Sequence, residues 1–184
     1  MNRTRRLLNV AETAKRGIAS YLNILGVKRE ALICGYSYLV PEAHKAQVIS
    51  DSVIAHDCGR EVFRTFLLAV KLVSAIRQIR FDVILARSAF AVISLCLAHP
   101  FFLAKHIKTL YCPHGWTSFR DSSARMKKVI QFIRRAMSLI PRRTVNISQY
   151  DHRKTRDPGF SSKCTLIENT VLHAISQLTT RTQA

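Results

Sequence analysis

The chain has 184 residues, of which 48% are hydrophobic and 22% charged, the size and composition of one ordinary globular domain. These values exclude a disordered polar chain, which lacks the apolar residues needed for a core. The 29 Lys and Arg residues outnumber the 11 Asp and Glu residues. The resulting net charge of +18 predicts attraction to polyanions or anionic lipid surfaces.

The cysteines and apolar segments predict a cytoplasmic protein. The five cysteines are odd in number and scattered, without a Cys-x-x-Cys pair, so we expect reduced thiols. The basic N-terminus is followed by only two leucines before Asn9, too few for an export signal. The longest apolar stretch, 89–104, contains Pro100 and is shorter than the ~20 residues of a membrane-spanning helix, so we predict a buried core helix there.

Strand and helix patterns alternate along the first half of the chain. Arg6–Val10 predicts a strand, and a polar loop then leads to a helix over Ile18–Leu25. A second strand is predicted over Glu30–Gly35. The segment from Pro41 to Gly59 is predicted to be irregular, with Val53–Ile54 as a short strand inside it.

The second half continues the alternation. Apolar residues at helical spacing predict a helix over Glu61–Arg80, and Ser88 is expected to cap a helix that Pro100 ends. An amphipathic helix is predicted over Ser123–Ile140. Strands are predicted at Phe81–Leu85, Ile107–Cys112, Thr144–Ile147 and Cys164–Ile167. Repeated units of this kind predict an α/β fold, a Rossmann-like doubly wound parallel sheet that places ligands at the carboxyl ends of its strands.

Two loops at those ends hold candidate ligand-binding residues. Gly17 precedes the first helix and would let the backbone approach a ligand, although it is equally compatible with a simple turn. Neither a G-x-G-x-x-G motif nor a P-loop is present, which disfavours NAD and P-loop nucleotide binding. His114, between Pro113 and Gly115, follows a predicted central strand and is either a proton-transferring or hydrogen-bonding residue or a structural turn histidine.

The cysteines and histidines do not predict a nucleophile or a metal site. Cys112 lies two residues before His114, but its place in a strand favours a buried, unreactive thiol. The seven histidines and five cysteines are not spaced as metal ligands, so no metal is predicted.

One face of the predicted helix 123–140 is almost wholly cationic. It is either an anionic membrane-docking surface or an ordinary solvated face. Nucleic acid is disfavoured, because aromatic residues are not interleaved with the basic ones and no RNA- or DNA-binding motif is present. The candidate membrane-surface residues are Lys127, Lys128, Arg134 and Arg135.

Five segments, in order, resemble the N-terminal domain of the family 4 glycosyltransferases, which are retaining GT-B enzymes that use sugar nucleotides. Residues 8–22 are similar to the family's first strand, glycine loop and helix, and 81–88 to its PDVVHxHS strand. Residues 111–116 contain its PHGW segment, which is the most specific match. Residues 145–148 and 163–171 are similar to the two strands that close the domain.

The resemblance implies roles for particular residues. His114 would lie near the transferred sugar and act as the catalytic residue, and Gly17 would lie near the diphosphate. The other implied substrate-binding residues are Arg16, Ser88, Gly115, Ser148 and Asn169. The sequence departs from the family pattern at three positions: Arg16 and Thr170 replace glycines, and Arg87 replaces a common histidine.

The resemblance also implies a function. Residues 1–172 would be the acceptor-side domain and 173–184 a short tail, with the C-terminal donor-binding domain absent from this chain. The enzyme would transfer sugar from a nucleotide-sugar donor to a saccharide or lipid-linked acceptor in polysaccharide biosynthesis, without a metal or other cofactor. This chain, inactive alone, would be half of a split enzyme or a truncated remnant. It would be cytoplasmic and peripheral at the inner membrane face.

The alternative hypothesis is a non-catalytic basic protein that binds anionic membrane or nucleic acid through the same fold. It depends on the net charge of +18 alone.

Overall fold

The computed structural model describes residues 5–11, 13–14, 19, 22–23, 34–50, 52–57, 62–113, 140–155 and 163–168. Within these ranges the strands form one sheet, and every neighbouring pair is parallel. They are β1 (Arg5–Val10), β2 (Cys34–Pro41), β3 (Val53–His56), β4 (Val83–Ala86), β5 (Lys108–Tyr111), β6 (Arg143–Asn146) and β7 (Cys164–Leu166). Their order is β3-β2-β1-β4-β5-β6-β7, which confirms the predicted Rossmann-like fold.

The described helices connect these strands. They are α1 (Val62–Gln78), α2 (Ala89–Ala104) and α3 (Gln149–Lys154), with a 3-10 helix over Glu42–Gln47. Residues 19, 22 and 23 are helical, in agreement with the predicted helix 18–25. The predicted helix 123–140 lies outside the described residues except for Ile140, which is not helical.

Two sequence predictions were wrong in their boundaries. The second strand, described over Cys34–Pro41, does not end at Gly35, because it continues through Tyr38 and Val40, which are buried. Pro100 does not end the second long helix but lies inside it. Pro100 is exposed, and buried Phe102 anchors the last turn of the helix beyond it.

Each face of the sheet has its own core. On one face, apolar side chains of β1 and β4 pack against α1 and α2, and the cluster includes Leu8, Val10, Ile84, Leu68, Leu72, Leu95 and Phe102. On the other face, β2 packs against the segment that follows β1, through Ala11, Ala14, Leu22, Tyr38, Val40 and Val48. The prediction of a buried core helix over 89–104 therefore holds for only one side of α2, since Leu97, Phe101 and Leu103 are exposed.

The strand order changes direction at β1, which is a topological switch point of this sheet. β1 pairs with β2 on one side and with β4 on the other, so the connections that follow β1 and β4 leave in opposite directions. In open α/β sheets, ligands bind outside the carboxyl ends of the strands at such a switch point. The residues at the ends of β1, β4 and β5 are therefore the first to examine for function.

Candidate functional site

A buried polar cluster lies at the carboxyl ends of the three central strands. Because side chains alternate along a strand, Asn9 points away from the core that contains Leu8 and Val10. Arg87 and Cys112 directly follow β4 and β5 and lie on the same side of the sheet as Asn9. Hydrogen bonds from Arg87 N to Val10 O (3.0 Å) and from Cys112 N to Ala86 O (2.8 Å) continue the ladder beyond both strand ends.

The guanidinium of Arg87 joins the three strands. Its Nε and Nη2 donate to Asn9 Oδ1 at 3.3 and 3.1 Å, and its Nη1 lies 3.9 Å from Cys112 Sγ. Arg87 is 1% exposed, so this positive charge lies inside the protein at the carboxyl edge of the sheet. The Nδ2 of Asn9 is buried without a hydrogen-bond acceptor. A buried guanidinium contributes positive potential to the carboxyl edge of the sheet.

Cys112 does not have the properties of a nucleophile. Its side chain is buried, and burial raises the pKa of its thiol, although the charge of Arg87 opposes that rise. A reactive cysteine has a lowered pKa and access to solvent. The structure agrees with the prediction of an unreactive thiol.

Two histidines hold the segment that follows β1. The Ala14 N–H donates to His44 Nδ1 at 3.2 Å, which requires that nitrogen to be unprotonated. His56, at the end of β3, contacts Ala11 O through Nε2 at 3.2 Å. Burial lowers the pKa of His56, so its ring is neutral at pH 7. With both rings neutral, the two contacts fix the start of the predicted Gly17 loop.

The far side of the same segment is also anchored. Tyr38 Oη donates to Leu22 O at 3.0 Å, and Asn23 bonds the backbone at Gln47 and Ile49 at 3.0 and 2.8 Å. The described ends of the segment 11–23 are therefore tied to β2, β3 and the 3-10 helix. Such anchoring is needed where a loop must hold a ligand in a fixed geometry.

Two of the predicted substrate-binding residues, Ser88 and Ser148, are helix N-caps. Ser88 Oγ accepts the Ala91 N–H at 3.1 Å, which confirms the predicted cap of α2. Ser148 Oγ accepts the Asp151 N–H at 3.1 Å and donates to the Asp151 carboxylate at 2.8 Å. Both caps lie at the carboxyl edge of the sheet, because α2 follows β4 and α3 follows β6. Their roles toward substrate stay predictions.

The remaining predicted site residues lie outside the described residues. They are Arg16, Gly17, His114, Gly115, Asn169 and the membrane-surface residues Lys127, Lys128, Arg134 and Arg135. Of the predicted site residues, the structure describes Ser88 and Ser148. The predicted roles of the others remain untested.

Neither a metal site nor a membrane span is found in the described part of the chain. Within the described ranges, no group of three or more His, Cys, Asp or Glu side chains lies close enough to hold a metal ion. Among the described helices, none is both long and apolar enough to cross a bilayer.

Asn9, His44 and His56 are site residues that the sequence did not predict, and Arg87 was noted only as a departure from a pattern. One signal was available for Asn9, because it is a polar residue inside the apolar run 7–10 of a predicted central strand. His44 and His56 gave no such signal. Their contacts join residues 30 and 45 positions apart, which local patterns do not report.

Comparison with known proteins identifies the family. The model of Glycosyltransferase Family 4 matches residues 13–173 of this chain. The chain belongs to glycosyltransferase family 4. No individually curated protein sequence matches this family member significantly.

Solved structures share the fold of this chain. A sucrose-phosphate synthase from Thermosynechococcus elongatus superposes with a TM-score of 0.67 at 11% identity, covering 89% of this chain and 48% of its own. Anabaena HepE, solved in complex with UDP and glucose, gives 0.62 at 14%, covering 90% and 44%. The lipopolysaccharide outer core galactosyltransferase WaaB, in its apo form, gives 0.64 at 13%, covering 90% and 46%.

The match is confined to one part of each protein. This family member spans about half the length of these solved structures. Its described fold is that of the N-terminal domain of a GT-B glycosyltransferase. The polar cluster around Arg87 therefore lies at the carboxyl edge of the N-terminal sheet.

Proposed function

We propose that the chain is the acceptor-side half of a glycosyltransferase that moves a sugar from a nucleotide sugar to a saccharide or lipid-linked acceptor. The family match over residues 13–173 carries the proposal. A second Rossmann-like domain, corresponding to the other half of the GT-B enzymes, would supply most of the donor site. HepE was solved with UDP and glucose bound, which supports a nucleotide-sugar donor for this chain as well.

In this proposal the chain positions substrates and stabilises charge rather than forming a covalent intermediate. His114 would contact the transferred sugar, and Arg16 and Gly17 would face the diphosphate. Ser88, Gly115, Ser148 and Asn169 would line the crevice. Two described features support an anionic ligand there, namely the buried Arg87 cation and the N-terminus of the 16-residue helix α2. The transfer would retain configuration and need no metal.

We also propose that the protein works in the cytoplasm, peripherally at the inner membrane face, in polysaccharide assembly. The likeness to WaaB, a lipopolysaccharide outer core galactosyltransferase, supports an acceptor of this class. A lipid-linked acceptor would require the enzyme to reach a membrane surface. Lys127, Lys128, Arg134 and Arg135 are the basic residues proposed from the sequence for that contact.

The test begins with sequencing of the DNA beyond the codon for Ala184 and of the adjacent reading frames, in order to find a second α/β domain. A second α/β domain found there would be co-expressed with the chain, and transfer of radiolabelled sugar from UDP-, GDP- and ADP-sugars to membrane lipid acceptors would be measured. We expect transfer by the pair and none by the 184-residue chain alone. Equal transfer by the chain alone would contradict the proposal.

Two histidine variants test the site in the active complex, which is the chain combined with its second domain. We expect His114→Ala to lower kcat by about tenfold or more, because it removes a group that touches the transferred sugar. The matched control is His99→Ala, since His99 lies in α2 near the opposite, amino edge of the sheet. Equal rates for the two variants would remove His114 from the proposed site.

A further inference from the structure

A cavity lies at the amino edge of the sheet, between the end of α2, the start of β5 and residues 140–142. Its volume is about 400 Å³, and none of its described lining residues is acidic. A concave site of this size with apolar walls and a few polar groups is typical of small-molecule binding. We call it the amino-edge cavity. The lining residues that carry the inference are Leu103, His106, Ile107, Lys108, Ile140 and Arg142.

The amino-edge cavity is separate from the polar cluster around Arg87. β5 runs from Lys108, at the cavity, to Tyr111, and Cys112 of the polar cluster directly follows the strand. Four residue steps along a strand span about 13 Å. A ligand in the cavity therefore lies at the edge of the sheet opposite the proposed transfer site.

His106 is held at the cavity in a conformation that a histidine rarely adopts. α2 ends in a Schellman motif, in which His106 N donates to Leu103 O at 3.1 Å. The Ile107 N–H donates to Phe102 O, also at 3.1 Å, and completes the motif. His106 therefore has a left-handed backbone with a φ of 54°, where glycine is usual because a side chain is strained. Strain retained at a cavity indicates a use for the imidazole.

Arg142 reaches the cavity from the neighbouring strand. Its N–H donates to Thr109 O at 2.8 Å, which fixes the backbone just before β6. Thr144 pairs with Tyr111, whose side chain packs in the core together with α2. Because side chains alternate along a strand, Arg142 lies on the same face as Thr144 and thus on the α2 side of the sheet.

The basic groups at the cavity are not neutralised by acidic side chains. Among the described residues, no carboxylate lies within ion-pair distance of Lys108 or Arg142. Asp82 is at the same edge, but its carboxylate accepts the Arg6 N–H at 2.9 Å, next to β1. Cations without acidic partners in a concave site attract anions.

Stabilisation of the α2 dipole explains only part of this arrangement. Cations are favourable at a helix C-terminus, where the last carbonyls carry partial negative charge. Lys105 and His106 agree with that explanation, and the Lys105 ammonium donates to Ile76 O at 3.1 Å. Lys108 belongs to β5 and Arg142 precedes β6, so neither is part of the helix end. Their position at one cavity together with His106 favours an anion site.

The cavity selects one kind of anion. A guanidinium binds two phosphate oxygens at once, and an ammonium adds a second positive charge. The apolar walls formed by Leu103, Ile107 and Ile140 suit an organic group, which inorganic phosphate lacks. A bilayer surface or a nucleic-acid duplex is too broad to enter a volume of about 400 Å³.

We infer that the amino-edge cavity binds a soluble organic phosphate. Arg142 and Lys108 contact the phosphate, and His106 donates to it through a ring N–H. Leu103 and Ile107 contact the organic group. The inference does not depend on the proposed transfer reaction, and its test measures binding by the chain alone, so each proposal can fail without the other.

The test is a two-dimensional NMR titration of the isotope-labelled full chain at about 0.15 M NaCl, near physiological ionic strength. The probes are phenyl phosphate and inorganic phosphate. We expect phenyl phosphate to shift the amide signals of residues 103–109 and of Arg142 saturably. Inorganic phosphate should bind about tenfold more weakly, because it has no apolar group to bury. Shifts confined to Arg87 and Ser88 would place the ligand at the carboxyl edge and overturn the inference.

Two arginine variants separate local contact from net charge. Arg142→Gln and Arg153→Gln each lower the net charge of +18 by one, and both residues are exposed. We expect Arg142→Gln to weaken phenyl phosphate binding about tenfold, because it removes a bidentate donor. Arg153→Gln should leave binding unchanged, since Arg153 lies in α3. Equal weakening by the two variants would show attraction to the net charge alone and contradict a site.

His106→Gly separates a binding role from a structural one. Glycine adopts the left-handed conformation without strain, so the melting temperature should not fall. We expect phenyl phosphate to bind several-fold more weakly to this variant, because a hydrogen-bond donor is lost. Unchanged binding would remove His106 from the site.

A phosphate group is also present in lipid headgroups, and a sedimentation assay distinguishes that source. We expect the wild-type chain and Arg142→Gln to sediment equally with phosphatidylcholine vesicles that contain phosphatidic acid. Loss of sedimentation in Arg142→Gln, but not in Arg153→Gln, would assign the cavity to a lipid headgroup and overturn the inference of a soluble ligand.

Discussion

Arg87 is a fully buried cation, and its hydrogen bonds hold the carboxyl ends of β1, β4 and β5 together. Removing the hydrogen-bond partner of a buried charge lowers the stability of the fold more than removing the partner of an exposed charge. The buried charge cannot recover its hydration. Arg87 and its acceptor Asn9 therefore contribute to the stability of this edge of the sheet.

We expect Asn9→Leu to lower the free energy of unfolding by about 2–3 kcal/mol, since it removes the acceptor of two guanidinium N–H groups. Urea denaturation measures the loss. The variant Arg87→Met and the double variant complete a cycle, and the double variant should lose less than the sum of the two single losses. Additive losses would show that Asn9 and Arg87 do not stabilise each other.

His56 makes stability depend on pH. Burial lowers its pKa below 6.5, opposed by its bond to Ala11 and by Asp57 and reinforced by Lys71 and His44. As pH falls, the unfolded chain therefore binds the proton first, and folding becomes less favourable. The contribution is complete above pH 6.5 and is lost as the pH falls from there through the lowered pKa.

We expect His56→Gln to reduce this loss of stability between about pH 7 and pH 5, the range in which a histidine titrates. The glutamine amide can still donate to Ala11 O but does not titrate. Urea denaturation at each pH measures the profile of His56→Gln against that of the wild-type chain. An unchanged slope in His56→Gln would show that another group causes the dependence.

At the scale of elements, both α2 and α3 begin at the crevice edge with a serine cap. We expect Ser88→Ala to lower the free energy of unfolding by about 1 kcal/mol, because an orphan N–H of α2 loses its acceptor. Ser88→Asp should retain wild-type stability, since aspartate caps equally well and its charge is favourable at a helix N-terminus.

Ser148→Ala is the comparison variant. Thermal denaturation measures the stability of Ser88→Ala, Ser88→Asp and Ser148→Ala. A loss for Ser88→Asp as large as for Ser88→Ala would show that capping is not the role of Ser88. Ser88→Asn separates capping from contact with substrate, because asparagine caps a helix without adding a charge. In the active complex, loss of activity by this stable variant would indicate a contact with the serine hydroxyl.

The order of the described strands and of the two long helices could be predicted because each burial pattern is local, whereas the 3-10 helix over Glu42–Gln47 and the short helix α3 were not predicted. The run Phe81–Leu85 and the helical spacing over 61–80 gave β4 and α1 to within a few residues. Gly35 and Pro100 were predicted to end elements, but tertiary contacts kept both elements intact. Burial of Tyr38 and Val40 on one face and Leu39 on the other maintains β2 beyond the glycine.

The candidate site was harder to predict than the fold. Its location at the strand ends followed from the alternation of strands and helices. Its contents did not, because the bonds from His44, His56 and Arg87 join residues distant in sequence. The resemblance to the family pointed to His114 and Gly17, which lie outside the described residues. The polar cluster with Asn9 and Arg87 emerged only from the folded structure.

At the scale of the whole molecule, the chain carries a net charge of +18. Folding brings these positive charges closer together and so increases their mutual repulsion. We expect the melting temperature to rise by a few degrees between about 0.01 and 0.15 M NaCl, because the screening length falls from ~30 to ~8 Å. Calorimetry at several salt concentrations measures this rise. The double variant Lys71→Glu/Arg153→Glu should respond less, and a melting temperature that falls with salt would contradict the expectation.

The position of β1 has a consequence for how the chain folds during synthesis. β1 lies between β2 and β4, and its residue Arg6 bonds Asp82, 76 residues later. At ~5–20 residues per second, the ribosome makes that partner roughly 4–15 s after β1. Until then the future centre of the sheet has one open, apolar edge. β1 therefore gains its second neighbour late in synthesis, and during that interval its unpaired edge is available for pairing with other chains.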